Sequence, residues 1–480
     1  MSDKDRAVNT AYVIGLDLGT TAIKAALYDI AGHCVAESQQ EVKLITPQPG
    51  WVEQDPSIWY EHLCDLIKTI TADKKKENII GIGISSQGIS FVPVDASLNP
   101  LHNVFSWLDG RAAAETDWIK SVFKEDELFR ITGKHVSAFY SLPKILWLRK
   151  NRPGIFKQTH KILCAMDYAI TRFTGRAVTE PTMAAGTMMY DISQNCWSGE
   201  IFRKCGIDKS LMPEITGVGM EAGVLSREAA ELSGLMKGIP VFCAGQDQKT
   251  AACGAGITDG VVTVSLGTAA AFEVLTDCGI NTENSELPVC PCFDRKKRVL
   301  EGCVNTAGAA IKWLNNTVVR ANDYAEMDRL CAASPPGSRG VLFYPLLEEN
   351  GSCGGITLGT GIEDIVRALF EGIIFEIKIQ LDAALRTGAD IRRLNVFGGA
   401  ARSEILCKIL ADVSGYPVQT FKNRELCLLG AAKISAAALG ADTETFIKNS
   451  LAQGSLYEPN REIGKLYSDV YSRYMSERRK

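Results

Sequence analysis

Two hairpins of one design, half a chain apart, constrain the fold more than any other feature. Residues 11–29 read AYVIGLDLGTTAIKAALYD, an apolar run, a Gly-Thr turn and a second apolar run resuming with Ile23, Ala25 and Leu27. That order predicts a β-hairpin with a polar tip. Residues 260–276, GVVTVSLGTAAAFEVLT, repeat the plan around an LGT turn. A strand, turn and strand repeated at this distance predicts duplicated domains. Length agrees, because 480 residues exceed the roughly 250–300 that one hydrophobic core sustains. The Gly-rich stretch at 256–259 is the expected boundary, giving domains 1–256 and 257–480.

Between the hairpins, short apolar segments at 79–84, 92–94, 241–244, 341–344 and 394–397 read as strands. They alternate with helix-period stretches at 56–70, 144–149, 364–385 and 403–414. The class expected is α/β with mixed sheets.

Charge and cysteine usage exclude several functions. A net charge of −4 offers no global basic field for a nucleic-acid backbone or an anionic membrane. The fifteen cysteines are scattered without disulfide-framework spacing, as expected of reduced thiols. Cys290 and Cys292 lack the second pair a zinc site needs. The charged first ten residues and the lack of an apolar run of about 18 residues lead to a cytoplasmic expectation with no membrane contact.

The hairpin tips carry phosphate-handling chemistry. At the first, Gly19 lets the backbone approach a phosphate, while the amides and hydroxyls of Thr20 and Thr21 can donate to it. The Asp17 carboxylate would repel phosphate unless a cation lay between them, which points to Mg²⁺, and Lys24 is a further positive charge nearby. Gly267 and Thr268 form the matching tip, and two such tips facing across a cleft would clamp a triphosphate. No GxxxxGK[ST] or strand-following GxGxxG occurs, so neither a P-loop nor a dinucleotide site is expected. Gly398, Gly399 and Ala400 end a strand before a helix, a break that suits adenine, with the small-residue turn 429–432 as its opposite wall.

Asp247, in GQDQ after the apolar run 239–244, is the candidate general base, since a carboxylate at a strand mouth can reach a substrate hydroxyl. Helix capping is the competing role for it. In the segment 105–111, Trp107, Asp109 and Arg111 join an aromatic face to a carboxylate and a guanidinium, a mixture that stacks on and hydrogen-bonds a sugar. Gln87, Gly88 and Gln248 complete the candidate sugar contacts.

In order, DLGTT, WVEQDP, WLDGR, GQDQ, SLGT and FGGAAR make the chain resemble the FGGY carbohydrate kinases from end to end. Phe139, Ser141, Lys144, Ile145, Trp147, Leu148, Lys150 and Asn151 match the family's first signature. Gly351, Gly355, Ile356, Asp364, Ile365, Ala368, Phe370 and Glu371 nearly match its second, which departs at Cys353 and Leu369. The resemblance implies two ribonuclease-H-like, actin-like ATPase domains with an interdomain cleft, closing on ATP and a sugar. It implies an N-terminal domain that binds sugar and carries the base, and a C-terminal domain that binds nucleotide. It also implies Asp247 as catalytic aspartate, Asp17 as metal-associated, and Thr20, Thr268, Gly267 and Gly399 as nucleotide contacts.

WVEQDP and residues 184–187 are most similar to xylulokinases. After Gln87, however, Gly88 and Ile89 stand where glycerol kinases have Arg and Glu and xylulokinases Met and His. Phe139 likewise replaces a glycerol-kinase tyrosine, so a ketose, first a pentulose such as xylulose, is expected over glycerol. Another ketose or polyol, or a non-catalytic actin-like ATP-binding sensor, is the alternative. The expected partner is a small sugar, with neither nucleic acid nor membrane, and a homodimer is left open.

Overall fold

The run YVIGLDL buries nearly every side chain, which requires a sheet covered on both faces; it is strand β1, Tyr12–Leu18. The computed structural model describes residues 11–278, 285–347, 350–423 and 425–478. Chain contacts divide it into two units. The first takes residues up to Gly254, Val289–Arg295 and Glu425–Ser450; the second takes Ala255–Pro288, Lys296–Arg424 and Leu451–Lys480.

In the first unit, β1 continues through a tight turn into β2, Ala22–Asp29, and then β3, Cys34–Glu41. Strands β4, Ile79–Ser86, β5, Glu221–Val224, and β6, Pro240–Gln246, complete a sheet of order β5-β6-β4-β1-β2-β3. Strands β1, β4 and β6 run parallel, whereas β1 with β2, β2 with β3 and β5 with β6 are antiparallel. Helix Pro56–Ile70 starts at Asp55, whose carboxylate accepts from Ser57 N at 2.9 Å, and Pro56 follows where a missing N–H costs nothing. Trp59, Leu63, Leu66, Ile67 and Ile70 repeat at helical spacing and are buried. Burial contributes about 1.5–3 kcal/mol for each large side chain.

The second unit repeats the plan. The strands that it gives to its large sheet are β7, Gly260–Leu266, β8, Ala270–Asp277, β9, Lys297–Val304, β10, Ile391–Phe397, β11, Val418–Phe421, and β12, Gln453–Tyr457. Their order is β9-β8-β7-β10-β11-β12, with β7, β10 and β11 parallel and the other pairs antiparallel. Read as three-strand meander, parallel centre and antiparallel edge, both sheets are the ribonuclease-H-like design. The duplication expected from the hairpins is a duplication of whole mixed sheets.

One crossing of the chain departs from the linear reading. Helix Leu426–Ala438, the return helix, packs on β1, β4 and helix Asp247–Gly254 of the first unit. Residues 429–432, expected as a turn walling an adenine pocket, lie inside this helix and are buried. Glycine and alanine serve close packing here, not a turn. A Cβ at Gly15 would overlap Leu428 O, at Gly83 Ala431 O, at Gly254 Leu426 O and at Gly430 Thr250 O. Backbone meets backbone at all four positions. We expect Gly83→Ala to force the return helix off its strands and to destabilise the protein by about 1–3 kcal/mol or more, read as a lower urea midpoint; an unchanged midpoint would contradict this packing.

Candidate active site

The candidates of the first unit gather at one sheet edge, the carboxyl ends of β1, β4 and β6. Asp17 pairs with Ser85 in register, and Ser86 with both Leu18 and Gln246. In open α/β sheets such ends form the ligand crevice. The turn after β1 is closed by Gly19 N donating to Ala22 O at 3.0 Å, and Thr21 is exposed at its tip.

Asp17 is 7% exposed, and its Oδ1 has no hydrogen-bond partner. Burial raises its carboxyl to about 6, against the opposing pull of Lys24 and of a hydrogen bond from Cys427. A buried carboxylate oxygen without a donor is costly unless something positive meets it. Mg²⁺ fits, since it binds through one or two carboxylates and keeps several waters. Among the described residues no group of three or more His, Cys, Asp or Glu side chains is arranged to hold a metal.

Lys24 stands directly across from Asp17 on β2, yet its ammonium is paired with Glu425 at 2.6 Å. Burial would lower its pKa, but that partner raises it. The positive charge expected near the tip is thus engaged by Glu425 in this structure.

Thr20, Gln87 and Trp107 are brought together by one network. Trp107 Nε1 donates to Thr20 Oγ1 at 2.9 Å, and Thr20 Oγ1 donates to Gln87 Oε1 at 3.1 Å. Gln87 Nε2 donates to Gln54 Oε1 and Gln54 Nε2 to Thr20 O, both at 2.8 Å. Gln87, expected to touch sugar, is only 1% exposed and its amide is engaged on both sides. It links the tip, Gln54 and, through Thr20, the indole.

Asp109 and Arg111, also expected on the sugar, are turned toward each other. Both side chains are 0% exposed and paired at 2.7 Å. Arg111 also reaches Glu53 at 2.7 Å and lies over the Trp51 ring at 3.9 Å, while Asp109 accepts from Val52 N at 2.7 Å. A guanidinium stacked on indole and bound by two carboxylates is held firmly, although its Nη1 has no hydrogen-bond partner. Behind it, the fully buried Lys144 donates to the carbonyls of Ser106, Trp107 and Phe139 at 2.9, 3.2 and 2.8 Å, and burial lowers its pKa to about 7. These groups shape the loop that presents Trp107.

Asp247 opens a helix immediately after β6 and is half-buried. Its Oδ1 accepts from Gln246 Nε2 at 2.6 Å and from Gln248 N at 2.7 Å, so the carboxylate has a defined orientation. Gln246, which stands beside Asp247 in GQDQ, is a site residue that the sequence pattern does not single out; it follows Gly245, where φ is +110°. Gly88 lies against the same side chain, because a Cβ there would come within 2.9 Å of Gln246 Cγ. Ile89 adopts φ +60°, a left-handed conformation costly for a β-branched residue, and Ser141 Oγ donates to its carbonyl at 2.9 Å.

The second unit repeats the convergence. Gly267 N donates to Ala269 O at 2.9 Å to close its tip, and Thr268 is exposed there. Gly398, at φ +97°, packs directly on Leu266 O, while a Cβ at Gly399 would meet open space. Gly267, Thr268, Gly398, Gly399 and Ala400 thus share the carboxyl ends of β7 and β10, whose registers bring Ser265 beside Phe397.

The N-terminal domain model of the FGGY family of carbohydrate kinases matches residues 12–254, and the C-terminal domain model matches residues 262–439. The chain belongs to the FGGY family of carbohydrate kinases. It is 28% identical to a xylulose kinase of Staphylococcus xylosus over 97% of this chain and 99% of that one. A glycerol kinase of Gloeobacter violaceus is 31% identical over 89% and 88% of the two chains. A solved gluconate kinase from Lactobacillus acidophilus superposes with TM-score 0.91 at 26% identity, covering 97% of both chains. This FGGY kinase therefore phosphorylates a sugar or a sugar-like alcohol, with ATP as the family's donor. None of its described helices is long and apolar enough to cross a membrane.

Asp17 yields a stability test. Its folded-state pKa lies above the unfolded value of 3.8, so stability present at low pH is lost as pH rises through about 6. Asp17→Asn removes that loss. The ligand-free variant is expected to match the parent near pH 4 and to exceed it by roughly 1–3 kcal/mol above pH 7, measured by thermal unfolding across pH; a variant less stable at pH 8 would contradict the assignment.

Proposed function

We propose that this protein transfers the γ-phosphoryl group of ATP to a hydroxyl of a ketose, a pentulose such as xylulose first, with Asp247 as general base. The observation that carries the reading is the Asp247 carboxylate, half-buried at the mouth of β6 with Oδ1 held by Gln246 and Gln248. Phosphoryl transfer asks a protein mainly for positioning and charge stabilisation. The sugar hydroxyl donates to Asp247, its oxygen bonds to the γ-phosphorus, the bond to the β,γ-bridging oxygen breaks, and ADP leaves while the proton rests on Asp247.

The first unit supplies the acceptor side. Trp107 offers a face for the sugar's C–H bonds, Gln248 borders Asp247, and Gly88 lies against Gln246. Thr20 and Thr21 present tip amides to phosphate. In the second unit Gly267 and Thr268 play the same part, and Gly398, Gly399 and Ala400 form the adenine side. Mg²⁺ at Asp17 would screen the phosphate charge. The setting is the cytoplasm, where ATP is abundant.

The choice of sugar rests on Gly88 and Ile89. An apolar Ile89 held at φ +60° brings no hydrogen-bonding side chain to that position, so a polyol dependent on one is disfavoured. The full-length likeness to a xylulose kinase favours a pentulose.

Asp247→Asn is expected to lower turnover by about 10²–10⁴ while nucleotide affinity, measured by calorimetry, stays within a few-fold. Turnover close to that of the parent would overturn the general-base role. In a panel of ketoses, polyols and aldoses followed by ADP release, the highest kcat/KM is expected for a pentulose; preferred glycerol would overturn the substrate choice.

A further inference from the structure

Lys24 and Asp17 are directly opposed on neighbouring antiparallel strands, so their side chains share a face and lie within reach of each other. Left alone, they would form an ion pair. They do not saturate each other: Asp17 Oδ1 has no hydrogen-bond partner, and the Lys24 ammonium meets Glu425 at 2.6 Å. Glu425 stands at the first turn's entry to the return helix, with its side chain making no capping bond, and the helix is fixed by the backbone contacts at Gly15, Gly83, Gly254 and Gly430. Two residues on, the Cys427 thiol donates to Ser85 Oγ at 3.2 Å, and Ser85 pairs with Asp17 in register.

We propose that Glu425 is a positioning residue for phosphoryl transfer, holding Lys24 off Asp17 so that the Asp17 carboxylate stays open to a divalent cation. This rests on the reading of Asp17 as the cation-side carboxylate. The chemistry is competition. An ammonium and a hard divalent cation want the same oxygen lone pairs, and a lysine tethered directly opposite wins by proximity unless something else binds it. The trio Asp17, Lys24 and Glu425 keeps a net negative charge, whereas Asp17 and Lys24 alone are neutral. The start of the returning segment therefore supplies an anion for the lysine.

Glu425→Gln keeps the side chain's size and removes its charge. We expect it to release Lys24 toward Asp17 and weaken cation binding about tenfold, since a close opposite charge shifts such equilibria by about 1–3 log units. Mn²⁺ binding to the full chain, saturated with a non-hydrolysable ATP analogue and followed by electron paramagnetic resonance, reads this directly. The Mg²⁺ concentration for half-maximal turnover is the second readout. In the double variant Glu425→Gln with Lys24→Met no ammonium is left to compete, and Mn²⁺ affinity is expected to return to within about threefold of the parent.

A merely structural Glu425 would show no such rescue. Unchanged Mn²⁺ affinity in Glu425→Gln, alongside weakened affinity in Asp17→Asn, would overturn this inference alone, as would a loss that Lys24→Met fails to restore. Unchanged affinity in Asp17→Asn would overturn the cation assignment of Asp17 as well.

Discussion

Backbone-to-backbone contact between the return helix and the sheet of the first unit is the constraint on which the acceptor side rests. Gly15 on β1 and Gly83 on β4 admit the helix carbonyls of Leu428 and Ala431, while Gly254 and Gly430 bring it equally close to helix Asp247–Gly254. The strand that ends in Asp17 and the helix that begins with Asp247 are thus referenced to one rigid element. Close-packed interiors transmit displacement instead of absorbing it. A segment from late in the sequence thereby sets the relative placement of two carboxylates encoded far earlier.

The carboxylate at β1 works against the fold that carries it. Burying Asp17 with an oxygen lacking a donor raises its pKa, a cost that the ligand-free protein bears at neutral pH. Strain at Ile89 is a second local cost beside the same sheet edge. In contrast, Asp109 and Glu53 are bound to Arg111 and give rigidity to the loop of Trp107.

Much of the architecture was legible in the sequence, because local pattern determines it. The two hairpins follow from apolar runs broken by Gly-Thr turns, and helix Pro56–Ile70 from Asp55, Pro56 and the spacing of its apolar residues. Asp247 could be placed at a strand mouth for the same reason. What escaped was non-local. Arg111 looks available until Glu53 and Trp51 are found beside it, and Lys24 looks free until Glu425 arrives from 401 positions away. Residues 429–432 have a composition suited equally to a turn and to a tight helix contact; only Gly15, Gly83 and Thr250 decide between them.

A crystal structure with a pentulose and a non-hydrolysable ATP analogue tests the central claim most directly. An Asp247 carboxylate oxygen within about 2.6–3.2 Å of one sugar hydroxyl, with that hydroxyl oxygen facing the γ-phosphorus, is the expected result. A reacting hydroxyl held by another side chain, with Asp247 turned away, would contradict it.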